Sequence, residues 1–136
     1  MKPKILIVIA NYYKHISTDL LKSTVSHVHK KSKFNAVKVP GVFEIPVVIS
    51  KNIKKYDGFI ALGCVIRGET PHFDFISQAC SIGLMQASLE TSKPVLFGVL
   101  TTENEQQAKD RASAEKQNKG RELALSALQM VELLRK

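Results

Sequence analysis

The sequence predicts a three-layer α/β fold: a flavodoxin-like, doubly wound sheet of four parallel strands with helices on both faces. Three observations carry that expectation. Four short apolar runs rich in Ile, Val and Leu recur along the chain, each with the pattern of a strand covered on both faces. Longer stretches with apolar residues at helical spacing lie between and after them. Regular strand–helix alternation then calls for parallel pairing through crossover helices.

The first run is Lys4–Ala10. After it, Ile16, Leu20, Leu21, Val25 and Val28 fall at steps of three to five, which reads as a helix with Ser17 to Asp19 near its start. Residues 34–39 form the second strand, ended by Pro40-Gly41. Glu44-Ile45-Pro46 opens a helix running to about Lys55, since proline is tolerated in a first turn. Residues 58–65 form the third strand. Thr70-Pro71 reads as an N-cap followed by proline at the first helical position, with that helix continuing to about Glu90. Residues 95–100, entered through Pro94, form the fourth strand, in which Phe97 is by default a core residue. Two helical stretches, 104–112 and 118–134, close the chain. The last offers Leu123, Ala127, Leu128, Val131 and Leu134 for packing on the sheet or on a neighbouring subunit.

With 136 residues, 44% of them hydrophobic, the chain suits one domain, 1–136, with a core of its own. No apolar run approaches the roughly 18 residues of a membrane span. Met1 to Lys4 followed by apolar residues 5–10 faintly imitates a signal peptide. That run is short, and Asn11-Tyr12-Tyr13-Lys14 is no small-residue cleavage site, so a first core strand and a cytoplasmic location are expected. Cys64 and Cys80, with no companion ligand cluster, suggest neither zinc nor a disulfide framework; they read as small buried hydrophobes. The net charge of +8 is uneven: residues 1–68 hold 12 basic against 3 acidic residues, and residues 69–136 hold 8 against 9. No helix carries a basic stripe interleaved with aromatics, so the lysines read as solvated faces and helix ends, and no nucleic-acid partner is expected.

In doubly wound sheets ligands bind beyond the carboxyl ends of the strands. That directs attention to residues 11–14, 40–44, 64–72 and 101 onward. The richest stretch is Gly63-Cys64-Val65-Ile66-Arg67-Gly68-Glu69-Thr70-Pro71-His72, a strand end entering a helix N-terminus, where free N–H groups favour anions. His72 in the first helical turn is placed to serve as a neutral base; alone, it reads equally well as a surface histidine. His15, His27 and His29 read as solvent-facing. Glu44 beside Phe43 either complements a helix dipole or accepts hydrogen bonds from sugar hydroxyls and ring N–H groups. Arg111, with Lys116 and Lys119, offers a guanidinium fork for phosphate, or a surface ion pair. Asn118 reads as the cap of the last helix. Tyr12 and Tyr13 put aromatic rings where a planar heterocycle can stack. Dinucleotide, P-loop and serine-hydrolase motifs are absent.

Together, Val39-Pro40-Gly41-Val42-Phe43-Glu44-Ile45-Pro46, Ala61 through Phe73, Pro94-Val95-Leu96-Phe97-Gly98-Val99-Leu100-Thr101-Thr102, Gln107-Ala108…Arg111-Ala112 and Asn118-Lys119-Gly120 resemble the 6,7-dimethyl-8-ribityllumazine synthase family. They do so in order, at family spacing, over nearly the whole chain. The resemblance implies a transferase that condenses 5-amino-6-(D-ribitylamino)uracil with 3,4-dihydroxy-2-butanone 4-phosphate, with no metal or redox cofactor. It implies His72 as the proton-transfer residue. Glu69 and Thr70 would hold the butanone phosphate, with Arg111 on its phosphate and Lys119 nearby. Val42, Phe43 and Glu44 would grip the pyrimidine and its ribityl chain beside Tyr12. Cys64, Val65 and Ile66 would supply backbone groups, and Phe97 would come from an adjacent subunit. Family sites lie between subunits of a pentamer, often twelve pentamers to a sixty-subunit shell, with riboflavin synthase as a further partner.

This chain departs from the family pattern at Asn11-Tyr12-Tyr13, where Arg-Phe-Asn is usual, and at Ser113-Ala114-Glu115-Lys116-Gln117, where Gly-Thr-Lys-Ala-Gly is usual. It is also expected to lack the N-terminal extension that often adds an edge strand to a neighbour in the family.

Overall fold

The computed structural model describes residues 1–69 and 72–135. Its strands are β1 (Lys4–Ala10), β2 (Lys33–Val39), β3 (Gly58–Ile66) and β4 (Val95–Thr102), and its helices are α1 (Lys14–Val28), α2 (Ile45–Lys51), α3 (Phe73–Thr91), α4 (Glu105–Ala112) and α5 (Lys119–Leu134). A single 3₁₀ turn, Val42–Glu44, precedes α2. All pairings are parallel, and the strand order is β2-β1-β3-β4. This is the expected three-layer, doubly wound architecture.

Strand periodicity divides the core in two. Ile5, Ile7, Ile9, Ile60, Leu62 and Cys64 face α1, α4 and α5, meeting Ile16, Leu20, Ala108, Leu123 and Ala127. Leu6, Val8, Phe59, Ala61, Val65 and Val99 face α2 and α3, meeting Ile45, Ile49, Cys80 and Leu84. All nine residues of β3 are buried. By contrast, Phe97 on the edge strand β4 is 40% exposed. It is therefore not the core residue its strand position suggested, because among the described residues no strand covers the outer side of β4.

Helix boundaries differ from the sequence reading in instructive ways. The first helix begins at Lys14, with Tyr13 as an N-cap that makes no side-chain capping bond. Ser17 is buried, and its hydroxyl donates to the Ala10 carbonyl at 2.8 Å, tying the first turn of α1 to the end of β1. The second helix stops at Lys51, and the Asn52 side chain donates to the Val48 carbonyl at 2.8 Å. Ile53 and Tyr56 still pack on the core from the following loop, so the apolar pattern runs on past the helix end. The third helix has His72 as its N-cap; Thr70 and Pro71, expected as cap and first helical residue, lie outside the described residues. His27 is half-buried rather than solvent-facing, its Nδ1 lying 2.8 Å from the Ser23 carbonyl. Among the described residues, no helix is long and apolar enough to cross a membrane.

Asn118 adopts a left-handed conformation (φ 49°), and its side chain accepts from the Arg121 N–H at 3.4 Å and from the Ser23 hydroxyl. Gly120 follows because α5 crosses α1 here: a Cβ would sit 2.8 Å from the Leu20 carbonyl oxygen and 3.0 Å from the Thr24 nitrogen. These are backbone atoms that cannot swing aside. Gly120→Ala should therefore destabilise the fold by about 1–3 kcal/mol, read from urea melts. An unchanged midpoint would contradict the close crossing.

Candidate active site

Strand order reverses between β1 and β3, since the chain moves outward to β2 from one and to β4 from the other. Beyond that point lies a cavity of about 380 Å³ lined by Tyr12, Tyr13, Pro40, Gly41, Val42, Phe43, Glu44, Cys64, Val65 and Ile76. Its size falls in the usual range for small-molecule sites. Three loops converge on it. The segment after β1 is held by the Ser17–Ala10 bond and by Asn11, whose N–H donates to Val39 at 3.0 Å. The 3₁₀ turn packs Val42 against β3 at Gly63, where a Cβ would come within 2.7 Å of Val42 Cγ1. The end of β3 supplies the floor. Its pairing with β1 ends at Leu62, so beyond that residue the β1-facing backbone groups have no strand partner and border the cavity.

Tyr12 is 69% exposed and stands edge-on to Tyr13, ring centroids 5.0 Å apart. Phe43 is also exposed. An apolar body with a carboxylate at one side suits a flat, polar-edged ring carrying hydroxyls. Gly41 makes room for that carboxylate, since a Cβ there would lie 3.1 Å from Glu44 Oε1. The sequence reading therefore placed Tyr12, Val42, Phe43, Glu44, Cys64 and Val65 in one cavity. Tyr13, which the sequence reading offered for stacking, and Pro40 and Gly41, from a loop it singled out, also line the cavity. Ile76, one turn into α3, was not anticipated.

Ile66 is buried with its side chain in the α1–α5 half of the core, so only its backbone faces the loop. Glu69 is exposed, its N–H donating to the Ile66 carbonyl at 3.2 Å. Thr70 lies outside the described residues. His72, also exposed, caps α3 one turn before Ile76, and its carbonyl accepts the Ile76 N–H at 2.9 Å. It is not among the residues that line the cavity.

Phe97, Arg111 and Lys119 lie elsewhere. Together with Gly98, Val99, Leu100, Thr101, Gln117 and Glu122 they line a separate cavity of about 290 Å³ against the edge strand. Arg111 donates to the Thr101 carbonyl at 3.3 Å, and Lys119 pairs with Glu122 at 3.1 Å. The chain thus carries an aromatic and carboxylate hollow and a basic hollow that, among the described residues, share no wall residue. Gln117, from the altered 113–117 segment, was not anticipated in the second.

Burial pushes the Cys64 thiol up to about 12, although Arg111 pulls it down. Burial likewise holds Cys80 at about 11. Neither is a thiolate nucleophile near neutral pH. Tyr13 is raised to about 12 by burial, then by Glu69 and Cys64, so its phenol keeps its proton. These folded values exceed the ordinary 9.0 and 10.0. Their stabilising contribution is therefore complete below pH 9.0 and is lost as pH climbs towards 12. Thermal melts should fall over that window, and the fall should be shallower in Cys64→Ala; an identical slope would contradict the burial of this thiol.

The family model described as 6,7-dimethyl-8-ribityllumazine synthase matches residues 2–135. Because that match takes in both hollows and every strand and helix of the sheet, the chain belongs to the 6,7-dimethyl-8-ribityllumazine synthase family.

Proposed function

We propose that the active site of this transferase is completed between two copies of the chain, one giving the aromatic and carboxylate hollow and the next giving Phe97, Arg111 and Lys119. The reaction is the family's: 5-amino-6-(D-ribitylamino)uracil and 3,4-dihydroxy-2-butanone 4-phosphate give 6,7-dimethyl-8-ribityllumazine, phosphate and water, the penultimate step of riboflavin biosynthesis. The observation that carries the shared site is the separation of the two hollows within one chain, with an exposed Phe97 at the sheet edge. Phe97 also borders a third hollow beside Ser77, whose buried hydroxyl has no partner among the described residues. An edge of this kind suits cover by a neighbour. So does the outer face of α3, where Phe75, Ile82, Met85 and Leu89 form an exposed apolar stripe.

In this reading the pyrimidine lies against Tyr12 and Phe43 and beside Val42, with its ribityl hydroxyls on Glu44 and its ring edge on backbone groups of Cys64, Val65 and Ile66. Glu69 and Thr70 hold the butanone phosphate, Arg111 takes the phosphate itself with Lys119 nearby, and His72 moves a proton. Imine formation expels one water, the phosphate leaves by elimination, and attack of the second amine on the remaining carbonyl closes the ring with loss of a second water. Holding both reactants in register supplies most of the acceleration. Residues 1–136 act as one cytoplasmic domain without metal or redox cofactor, and the working assembly is a pentamer. A sixty-subunit shell, or an enclosed riboflavin synthase, would be seen in the same light-scattering measurement that counts subunits.

Purified protein should form lumazine, followed by absorbance, faster than the uncatalysed mixture; equality with that background refutes the reading. Arg111→Ala should raise KM for the phosphate substrate, and His72→Ala should lower kcat by about one to two orders of magnitude, since proximity persists. A KM untouched by Arg111→Ala would remove that residue from the site.

The shared site has its own test. Glu44→Ala and Arg111→Ala chains, each impaired alone, should recover activity when co-expressed. Random pairing leaves roughly a quarter of head-to-tail contacts with both residues intact. No recovery in mixed assemblies means that each chain builds its site alone.

A further inference from the structure

The reaction leaves the opposite end of the sheet unused. Parallel pairing gathers the strand starts there, and residues 1–4, 29–35 and 52–57 carry seven lysines against the single acid Asp57. Lys4 and Lys33 are register partners in β1 and β2, so their side chains leave the same face side by side, an arrangement in which like charges repel. With Lys54 and Lys55 they line a cavity of about 540 Å³ completed by Phe34, Asn35 and Tyr56. Asp57 is engaged, its Oδ2 accepting the Lys4 backbone N–H at 2.8 Å. Among the described residues none of these four lysines pairs with a carboxylate. Helix dipoles account for cations in a last helical turn. Lys4 and Lys33 are strand residues, and Lys54 and Lys55 lie beyond the end of α2.

We propose that this cavity binds a nucleoside polyphosphate. The four ammonium groups take the phosphate chain as point charges, and the half-buried ring of Tyr56, with the exposed Asn35 amide, receives the nucleoside. The volume lies within the range of roughly 300–1,000 Å³ typical of small-ligand sites, far more than a bare phosphate fills. A nucleic-acid strand needs an extended basic track with stacking rings, whereas these charges converge on one hollow.

Calorimetric titration of the assembled protein with ATP and GTP at about 0.15 M salt, where exposed charges are screened, tests this. Tripolyphosphate and a single-stranded oligoribonucleotide serve as comparison probes. Saturable nucleotide binding with Kd below about 1 mM is expected. The combined Lys33→Glu and Lys55→Glu variant should weaken it more than about tenfold while lumazine formation stays unchanged. A carboxylate introduced at position 33 would stand opposite Lys4 and relieve a repulsion, so β2 should hold; should the melt nevertheless shift, Lys54→Gln with Lys55→Gln provides the same readout. Asn35→Ala should weaken ATP and leave tripolyphosphate alone. The proposal falls if nucleotide binding is absent at that salt, is unaffected by the lysine variants, is matched by tripolyphosphate, or is surpassed by the oligoribonucleotide. None of these outcomes depends on turnover, so the proposal and the shared active site can fail separately.

Discussion

Complete burial of β3 is the constraint on which the rest of the molecule depends. All nine of its residues, Gly58–Ile66, are buried, and its seven side chains are apolar and point to both faces, so a layer of helices must lie on each side. Burying one large aliphatic side chain is worth about 1.5–3 kcal/mol. The exposed contacts at the strand's exit work on a smaller scale. Arg67 meets Asp74 at 3.6 Å and Glu103 at 3.2 Å and lies 4.5 Å from the Phe73 ring centroid, and surface pairs of this kind are worth about 0–1 kcal/mol. They join the exit of β3 to the first turn of α3 and to the segment after β4; the strand decides where that exit lies. Because β3 sits beside β1, its end also opens at the point where strand order reverses, which is where the cavity forms.

What could be read in the sequence follows from the same physics. A strand buried on both faces must be continuously apolar, so β1 and β3 announced themselves, and alternation with helices fixed the parallel architecture. Helix ends were less legible, because packing and not periodicity sets them. Ile53 and Tyr56 kept the apolar pattern going after Asn52 had ended α2, and Ser17, expected near the start of α1, lies inside its first turn with its hydroxyl donating to the Ala10 carbonyl. Phe97 looked like core because strand order is not written locally: the same alternation that buries Phe59 leaves Phe97 on an edge. The candidate site divided in the same way. Residues in loops after β1, β2 and β3 converge by topology and could be grouped from sequence. Arg111 and Lys119 belong to elements after β4, and only the fold shows that they gather around the edge strand.

That division has a chemical consequence. The hollow at the reversal point supplies flat apolar surface, a carboxylate and unladdered backbone, and its thiol and phenol both stay protonated at neutral pH. It is equipped to hold a neutral, hydroxyl-bearing ring, and its described residues include no cation for an anion. The edge hollow has the guanidinium and the ammonium but little apolar depth. Each is half of what a condensation between a sugar-bearing base and a phosphate ester requires. In the proposed two-copy site, burial of the apolar stripe along α3 would add to the energy of association.

A parallel sheet is polar in a way an antiparallel one is not. All its strand ends, and the helix N-termini that follow them, point to one pole, while strand starts and helix C-termini share the other. Substrate anions are favoured at the first pole by geometry alone, through free N–H groups and helix dipoles. At the second pole the dipoles repel anions, so an anion site there must be made from side chains. The placement of charge in this chain agrees with that rule. The segments at the strand starts hold seven lysines and one acid, whereas among the described residues the cavity at the strand ends has no lysine or arginine in its wall. The excess of lysine over what helix ends can use is therefore the feature of this sequence that the family reaction does not explain.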